Sequence, residues 1–163
     1  MKRLVCLLLL FSLLLSGCSY LGERIKEPVN FYYIRKDYQE EMDSVIAPEV
    51  REASGHRNDL AYLLALYSMG PSDKNLAAPF PKSTTILPVE HSEAGLVLSL
   101  LDEIPTMTEA EYTLASACVA MTCMEMLDVE QVTVVCGERS VTINEENLLL
   151  TFSSNQNLPE DTK

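Results

Sequence analysis

Histidine is scarce in this chain. There are two, His56 and His91, and neither belongs to a spaced metal-ligand pattern. No cysteine or aspartate stands at a helical i+3 or i+4 position that closes a site around either. Two exposed histidines and no metal are expected; a zinc site from His56, His91 and a carboxylate is the weaker alternative. Glycine is scarce as well, with 6 in 163 residues, and no glycine-rich phosphate loop is present. The Gly-x-Ser-x-Gly turn that presents a serine nucleophile is absent. Basic residues number 12 against 24 acidic ones, with no basic cluster or aromatic-basic stripe, which speaks against nucleic acid as a partner. No apolar run reaches the ~18 residues of a membrane-crossing helix. No repeat is visible.

What the first residues do contain is ordered. Lys2 and Arg3 carry the only side-chain charges of residues 1–22, and an apolar run from Leu4 to Leu15 follows, interrupted by Ser12. As a helix that run rises ~18 Å, short of the ~30 Å hydrocarbon core and suited to a signal peptide. Leu15-Ser16-Gly17-Cys18 comes next. It resembles the lipobox of bacterial lipoproteins, in which small side chains admit a protease and the cysteine thiol takes a diacylglycerol. Residues 1–17 are thus read as a lipoprotein signal peptide, Cys18 as the lipidation site and 18–27 as a lipidated tether. Each buried CH2 contributes about 0.8 kcal/mol, so two or three acyl chains anchor durably. The expected location is the extracytoplasmic face of the cell membrane. Cleavage would leave about 146 residues, enough for one domain with a core. It would also leave acidic groups in excess by about 14 charges, which repels anionic lipid and wall polymers. The partners expected are the membrane, through the anchor, and other envelope proteins; self-association is left open.

Of five cysteines, Cys6 leaves with the signal and Cys18 is lipidated. Cys118, Cys123 and Cys136 remain, an odd count without metal spacing, and are read as core. An oxidising compartment would also permit one disulfide between a helix cysteine and Cys136.

Residues 28–145 read as one domain and 146–163 as a tail, disordered at its end. Pro28–Ile34 is rich in aromatic and β-branched residues and reads as a strand. Ser44–Ala53 is a second, with Pro48 at an edge or bulge. Asn58 or Asp59 caps a helix whose Leu60, Leu63, Leu64 and Tyr67 form one stripe. Ala61, Tyr62, Ala65, Leu66 and Met69 widen that stripe, so the helix is expected to be well buried, and Gly70-Pro71 stops it. A long loop, Pro71–Ser83, leads to strands Thr85–Glu90 and Leu96–Leu101, joined by a turn for which Gly95 supplies a positive φ. Thr108 and Glu111 make a capping box. The helix it opens runs to about Leu127, with Leu114, Ala117, Cys118, Met121 and Met124 or Glu125 inward. Gln131–Cys136 and Ser140–Ile143 are the last strands, with Gly137–Arg139 as the turn. The order β, β, α, β, β, α, β, β gives an α+β fold: a mostly antiparallel sheet with two helices packed on one face.

No catalytic residue can be nominated. Glu49 and Arg51 share one strand face at i, i+2 and are read as a surface ion pair, contributing about 0–1 kcal/mol, rather than as a catalytic acid and its partner.

Taken together, Tyr32-Tyr33-Ile34, Pro48-Glu49-Val50-Arg51, the apolar helix ending Gly70-Pro71, Pro81-Lys82-Ser83-Thr84, Val119-Ala120-Met121-Thr122, Val132-Thr133-Val134-Val135 and Gly137 resemble the GerMN domain. The likeness spans roughly Val29 to Ile143. It departs where the family often has Val-Asp-Leu-Ser, here Leu98-Ser99-Leu100-Leu101. The resemblance implies a lipoprotein of sporulation, spore germination or envelope assembly, with a fold similar to ring-building modules. It also implies action by packing on other proteins, without catalysis; no cofactor or metal is expected, from the motifs that are missing. No residue is singled out as the binding surface. A solute- or glycan-binding lipoprotein is the alternative, and a wall hydrolase ranks third.

Overall fold

The structure, a computed structural model, describes residues 27–39, 44–92, 95–101, 104 and 106–148. The signal peptide 1–17, Cys18, the tether up to residue 26 and the tail from residue 149 lie outside the described residues. Within them the order is β1 (Pro28–Arg35), β2 (Ile46–Glu52), α1 (Leu60–Ser68), β3 (Leu76–Ala77), β4 (Ile86–Ser92), β5 (Gly95–Leu100), α2 (Glu109–Leu127), β6 (Gln131–Cys136) and β7 (Arg139–Asn144). Residues 145–148 turn helical after β7, and Leu148 packs on the core.

The fold is α+β and mostly antiparallel, but the strands form two sheets instead of one. The first runs β2-β1-β3 and the second β4-β5-β6-β7. In the second, β5 and β6 pair in parallel, which requires a crossover, and the 19-residue α2 supplies it. This helix packs against β1 of one sheet and against β6 and β7 of the other. A helix held between two sheets has no solvent face in its middle turns. Residues 115–120 are all buried, so the single inward stripe expected for α2 is corrected. Tyr112, Ala115, Ser116, Val119, Thr122 and Cys123 are buried alongside Ala117 and Cys118. Leu114, Met121 and Met124 are half-buried, and Glu125 is exposed.

Both strand prolines sit where a missing N–H costs nothing. The Arg35 N–H bonds the Val45 carbonyl, which places the hydrogen-bonded pairs of β1 and β2 at odd β1 positions. Pro48 faces Tyr32, a non-bonded pair, on the edge strand. The Leu101 N–H bonds Thr85 O, so Pro88, opposite Leu98, also turns its nitrogen outward.

The other edge of β1 lacks a strand beyond Ile34 and Arg35, which meet the two-residue β3. Side chains take its place. The Tyr32 N–H donates to Thr122 Oγ1 at 2.9 Å, and Tyr67 Oη donates to Tyr32 O at 3.0 Å. Thr122 Oγ1 donates onward to Cys118 O at 2.9 Å, and Tyr33 Oη to Tyr67 O at 3.2 Å. The Tyr33 and Tyr67 rings stack 5.0 Å apart. Burial pushes both phenols well above the usual tyrosine range, so they remain neutral donors.

The helix starts agree with their capping residues. Asp59 accepts from Tyr62 N at 3.0 Å. Thr108 and Glu111 bond reciprocally, and the Thr108 amide and hydroxyl hold the Glu111 carboxyl below its ordinary range. Gly95 is needed for more than a turn: a Cβ there would lie 2.8 Å from the Gln131 carbonyl oxygen.

Candidate functional site

The first helix is apolar almost throughout, LAYLLALYS, yet only Leu63, Leu64 and Tyr67 are buried. Ala61, Ala65 and Met69 recur at i, i+4 and i+8 and form a second stripe that is exposed. The expectation that they widen the buried face is overturned. The core receives one face of this helix, through Leu63, Leu64 and Tyr67. Met69 is 75 % exposed.

This second stripe is one wall of a groove of about 410 Å³. The opposite wall is the stretch Lys82–Pro88, leading into and along edge strand β4. Thr84 and Ile86 are buried, while Leu87 is 41 % exposed. Lys82 is the one charged side chain of the lining, and no aromatic side chain contributes to it.

Glu49 and Arg51 fasten the end of α1, the helix that forms one wall of the groove. Arg51 Nε meets Glu49 Oε1 at 2.9 Å, and the two side chains are 18 % and 11 % exposed respectively. The Glu49 carboxylate also accepts from the Ser72 N–H at 2.9 Å and the Asp73 N–H at 2.7 Å. Arg51 donates to Leu66 O at 3.2 Å and to Ser72 Oγ at 2.7 Å, and its guanidinium stands 5.9 Å from the Phe31 ring centroid. The pair is structural, as the residue pattern suggested, but it is no loose surface contact. It ties β2 to the end of α1 and the following turn, where Gly70 takes φ +85. In the loop beyond, Leu76–Ala77 adds the short strand β3 that composition alone did not suggest.

The two histidines are not brought into a metal site. His56 stacks on Tyr62, with centroids 4.1 Å apart, and its Nδ1 lies 3.7 Å from Asp59 Oδ2. That i+3 carboxylate was passed over in the sequence, yet it gains no third ligand. His91 is exposed on β4 opposite Leu96. Among the described residues, no group of three or more His, Cys, Asp or Glu side chains is placed to hold a metal. Cys118, Cys123 and Cys136 are buried and outside any disulfide, so the disulfide alternative is not realised. Burial pushes the Cys118 and Cys123 thiols up to about 12. A second hollow, about 410 Å³, lies beside Asp128, Glu130, Glu145 and Glu146. It offers a ligand mainly carboxylates and amides, with Val129 as its one aliphatic side chain.

Met69, Leu87, Ala61 and Ala65 are the site residues that reading the sequence missed. For Ala61, Ala65 and Met69 the signal was a second i, i+4, i+8 apolar row on a helix that already had one; Leu87, on β4, had none.

Among the described residues, no helix is long and apolar enough to cross a membrane. No protein-family model and no curated protein matches the chain. Among solved structures, a 2.5 Å crystal structure of a candidate lipoprotein from Clostridium perfringens is similar at 15 % identity. The alignment covers 74 % of this chain and 88 % of that one, with a TM-score of 0.44. A likeness at that level adds nothing to the functional reading.

Proposed function

We propose that this chain is a lipoprotein held through Cys18 on the extracytoplasmic face of the cell membrane. Its domain binds a protein partner in the groove between α1 and β4 and catalyses nothing. The finer reading is a GerMN-like module serving sporulation, spore germination or envelope assembly. The supporting observation for binding is the pairing of exposed Met69 and Leu87 across a groove whose lining has one charge. Lone exposed apolar residues are ordinary; two lining the same concavity mark an interaction site. The lining favours a protein over a glycan, because sugar sites rely on aromatic faces and this groove has none. Burying Met69 and Leu87 in a complex would contribute at least about 3 kcal/mol together, or about a hundredfold in affinity.

The test is complementation of a deletion strain in the native host, scoring germination and sporulation where the host forms spores and envelope integrity otherwise. Met69→Glu combined with Leu87→Glu should abolish complementation while thermal unfolding stays near wild type. His56→Ala and His91→Ala should complement fully. Cys18→Ser should move the chain out of the membrane fraction or leave it unprocessed. Full complementation by the double glutamate variant would overturn the groove reading, and normal membrane retention of a mature-length Cys18→Ser chain would overturn the anchor.

A further inference from the structure

The two outer strands of the four-stranded sheet end differently. On β7, Asn147 Nδ2 donates to Thr142 O at 2.8 Å, so a side chain caps that edge. On β4, the edge beside Ile86 has no such cap among the described residues. The Leu101 N–H bonds Thr85 O, which makes Ile86 and Leu100 a non-bonded pair, and Pro88 and Leu98 another. The Ile86 N–H and C=O and the Pro88 C=O therefore point away from β5, on the side of the groove that both residues line. One donor and two acceptors stand in a row about 7 Å long. Beyond Pro88 the edge is guarded. Pro88 has no N–H, and the register shifts between Pro88 and Glu90, a bulge that turns the strand aside. The open stretch is confined to the groove.

We infer that the groove takes its partner by strand addition: an extended protein segment carrying a carboxylate pairs antiparallel with β4 at Ile86 and Pro88. This rests on the groove being the binding site, as proposed above. Two observations select the occupant. The first is the row of main-chain groups, which another extended main chain matches in spacing. A helix has spent its N–H and C=O groups on itself and offers the edge none. The second is charge. Lys82 begins the β4 wall and is exposed. Among the described residues the ion pairs are those of Arg51, His56 and Arg139, so Lys82 has no carboxylate of its own in a chain with 24 acidic residues. A partner's carboxylate is its complement.

Direction and side chains follow. Antiparallel pairing is slightly the more stable per residue, and it places the carboxylate towards the carboxyl end of the segment, where the wall begins at Lys82. The partner residue opposite Ile86 exchanges two bonds with it, and the one opposite Pro88 donates one. Their side chains lie on the same side of the sheet as Ile86, where Ala61, Ala65 and Met69 line the groove and the alanines leave room for them. The intervening side chain passes on the side of Leu87. The N–H of that intervening residue points to solvent.

The experiment uses full-length chain in phosphatidylcholine vesicles and a fluorescein-labelled peptide amide, Ser-Val-Thr-Val-Ser-Asp, whose co-sedimentation is compared with that on empty vesicles. Binding is expected. N-methylation of both valines, the residues set opposite Ile86 and Pro88, should weaken it at least about tenfold. N-methylation of the threonine and the second serine should leave it within about twofold, because those N–H groups face solvent. Lys82→Glu should weaken binding about threefold, and exchanging the peptide's aspartate for lysine should restore it on that variant. A helical peptide of alanine, leucine and aspartate should not bind. Absence of peptide binding, equal loss from both methylation patterns, or tighter binding of the helical peptide would overturn strand addition. The complementation test of Met69→Glu with Leu87→Glu reads the groove separately. Lost complementation without peptide binding keeps the groove and removes the added strand, whereas full complementation removes both.

Discussion

The two helices make opposite use of apolar sequence. The nine residues of α1 include one that is neither aliphatic nor aromatic, Ser68, and the helix leaves a whole row exposed. The 19 residues of α2 include three glutamates, three threonines or serines and two cysteines, and its middle turns are buried on every side. Composition therefore ranks the helices in the wrong order of burial. The number of a helix's faces that are covered decides. With sheets on two sides, α2 buries small and hydroxylated residues such as Ala115, Ser116, Ala120 and Thr122. With one face covered, α1 leaves the apolar row Ala61, Ala65 and Met69 exposed.

The largest expected effect tests whether the buried row of α1 belongs to the core. Leu64→Ala should cost about 2–5 kcal/mol by the lost contacts and the cavity left behind, whereas Met69→Ala on the same helix should stay within about 0.5 kcal/mol. Urea unfolding measures both, and equal effects would erase the distinction between the two rows. The next effect concerns α2. Cys118 and Cys123 have folded pKa values raised to about 12 from an ordinary 9.0 by burial. Folding thus retains protons that the unfolded chain releases. The stabilisation is complete below pH 9 and is lost as pH rises from there towards 12. Two such groups give a slope of about 2.7 kcal/mol per pH unit once the unfolded thiols have ionised. Tyrosines with raised phenols, the half-buried Tyr32 at about 12 among them, add to it at higher pH. Melting temperatures from pH 8 to 10.5 should fall steeply, and Cys123→Ala should flatten the curve; a flat profile in the parent would mean open thiols. The smallest effect compares alanines. Ala120→Leu should cost about 1–3 kcal/mol by overpacking α2, and Ala65→Leu on the exposed row of α1 close to nothing. If both are tolerated, the middle of α2 is not enclosed.

Much of the fold was legible because it depends on neighbours in the chain. Aromatic and β-branched residues marked β1, Thr108 and Glu111 marked the start of α2, and Gly70-Pro71 marked the end of α1. Pro48 on an edge strand followed from its missing N–H. Features set by distant residues were not legible. Whether β5 and β6 run parallel depends on where the chain emerges from α2, and the division into two sheets depends on two side chains standing in for a strand beside β1. A strand of two residues carries no periodicity, which is why β3 was read as loop. The groove was hidden for a related reason: a wide apolar face on α1 looks the same whether a core or a partner is meant to cover it. Glu49 and Arg51 were correctly paired, but their bonds to Ser72, Asp73 and Leu66 turn a surface contact into a fastening.

The hydrogen bond from the Tyr32 N–H to Thr122 Oγ1 joins residues 90 positions apart. On the proposed export route the chain emerges amino-terminus first, so β1 is out well before Thr122 follows. During that interval β1 and β2 can form a hairpin, but its inner edge stays unclosed, and an isolated hairpin is marginal in water. The first half of the domain must then stay loosely held until most of α2 exists. Folding should depend on late, long-range contacts and be slow for a domain of this size, with the nascent chain open to proteases and to chaperones until Thr122 arrives.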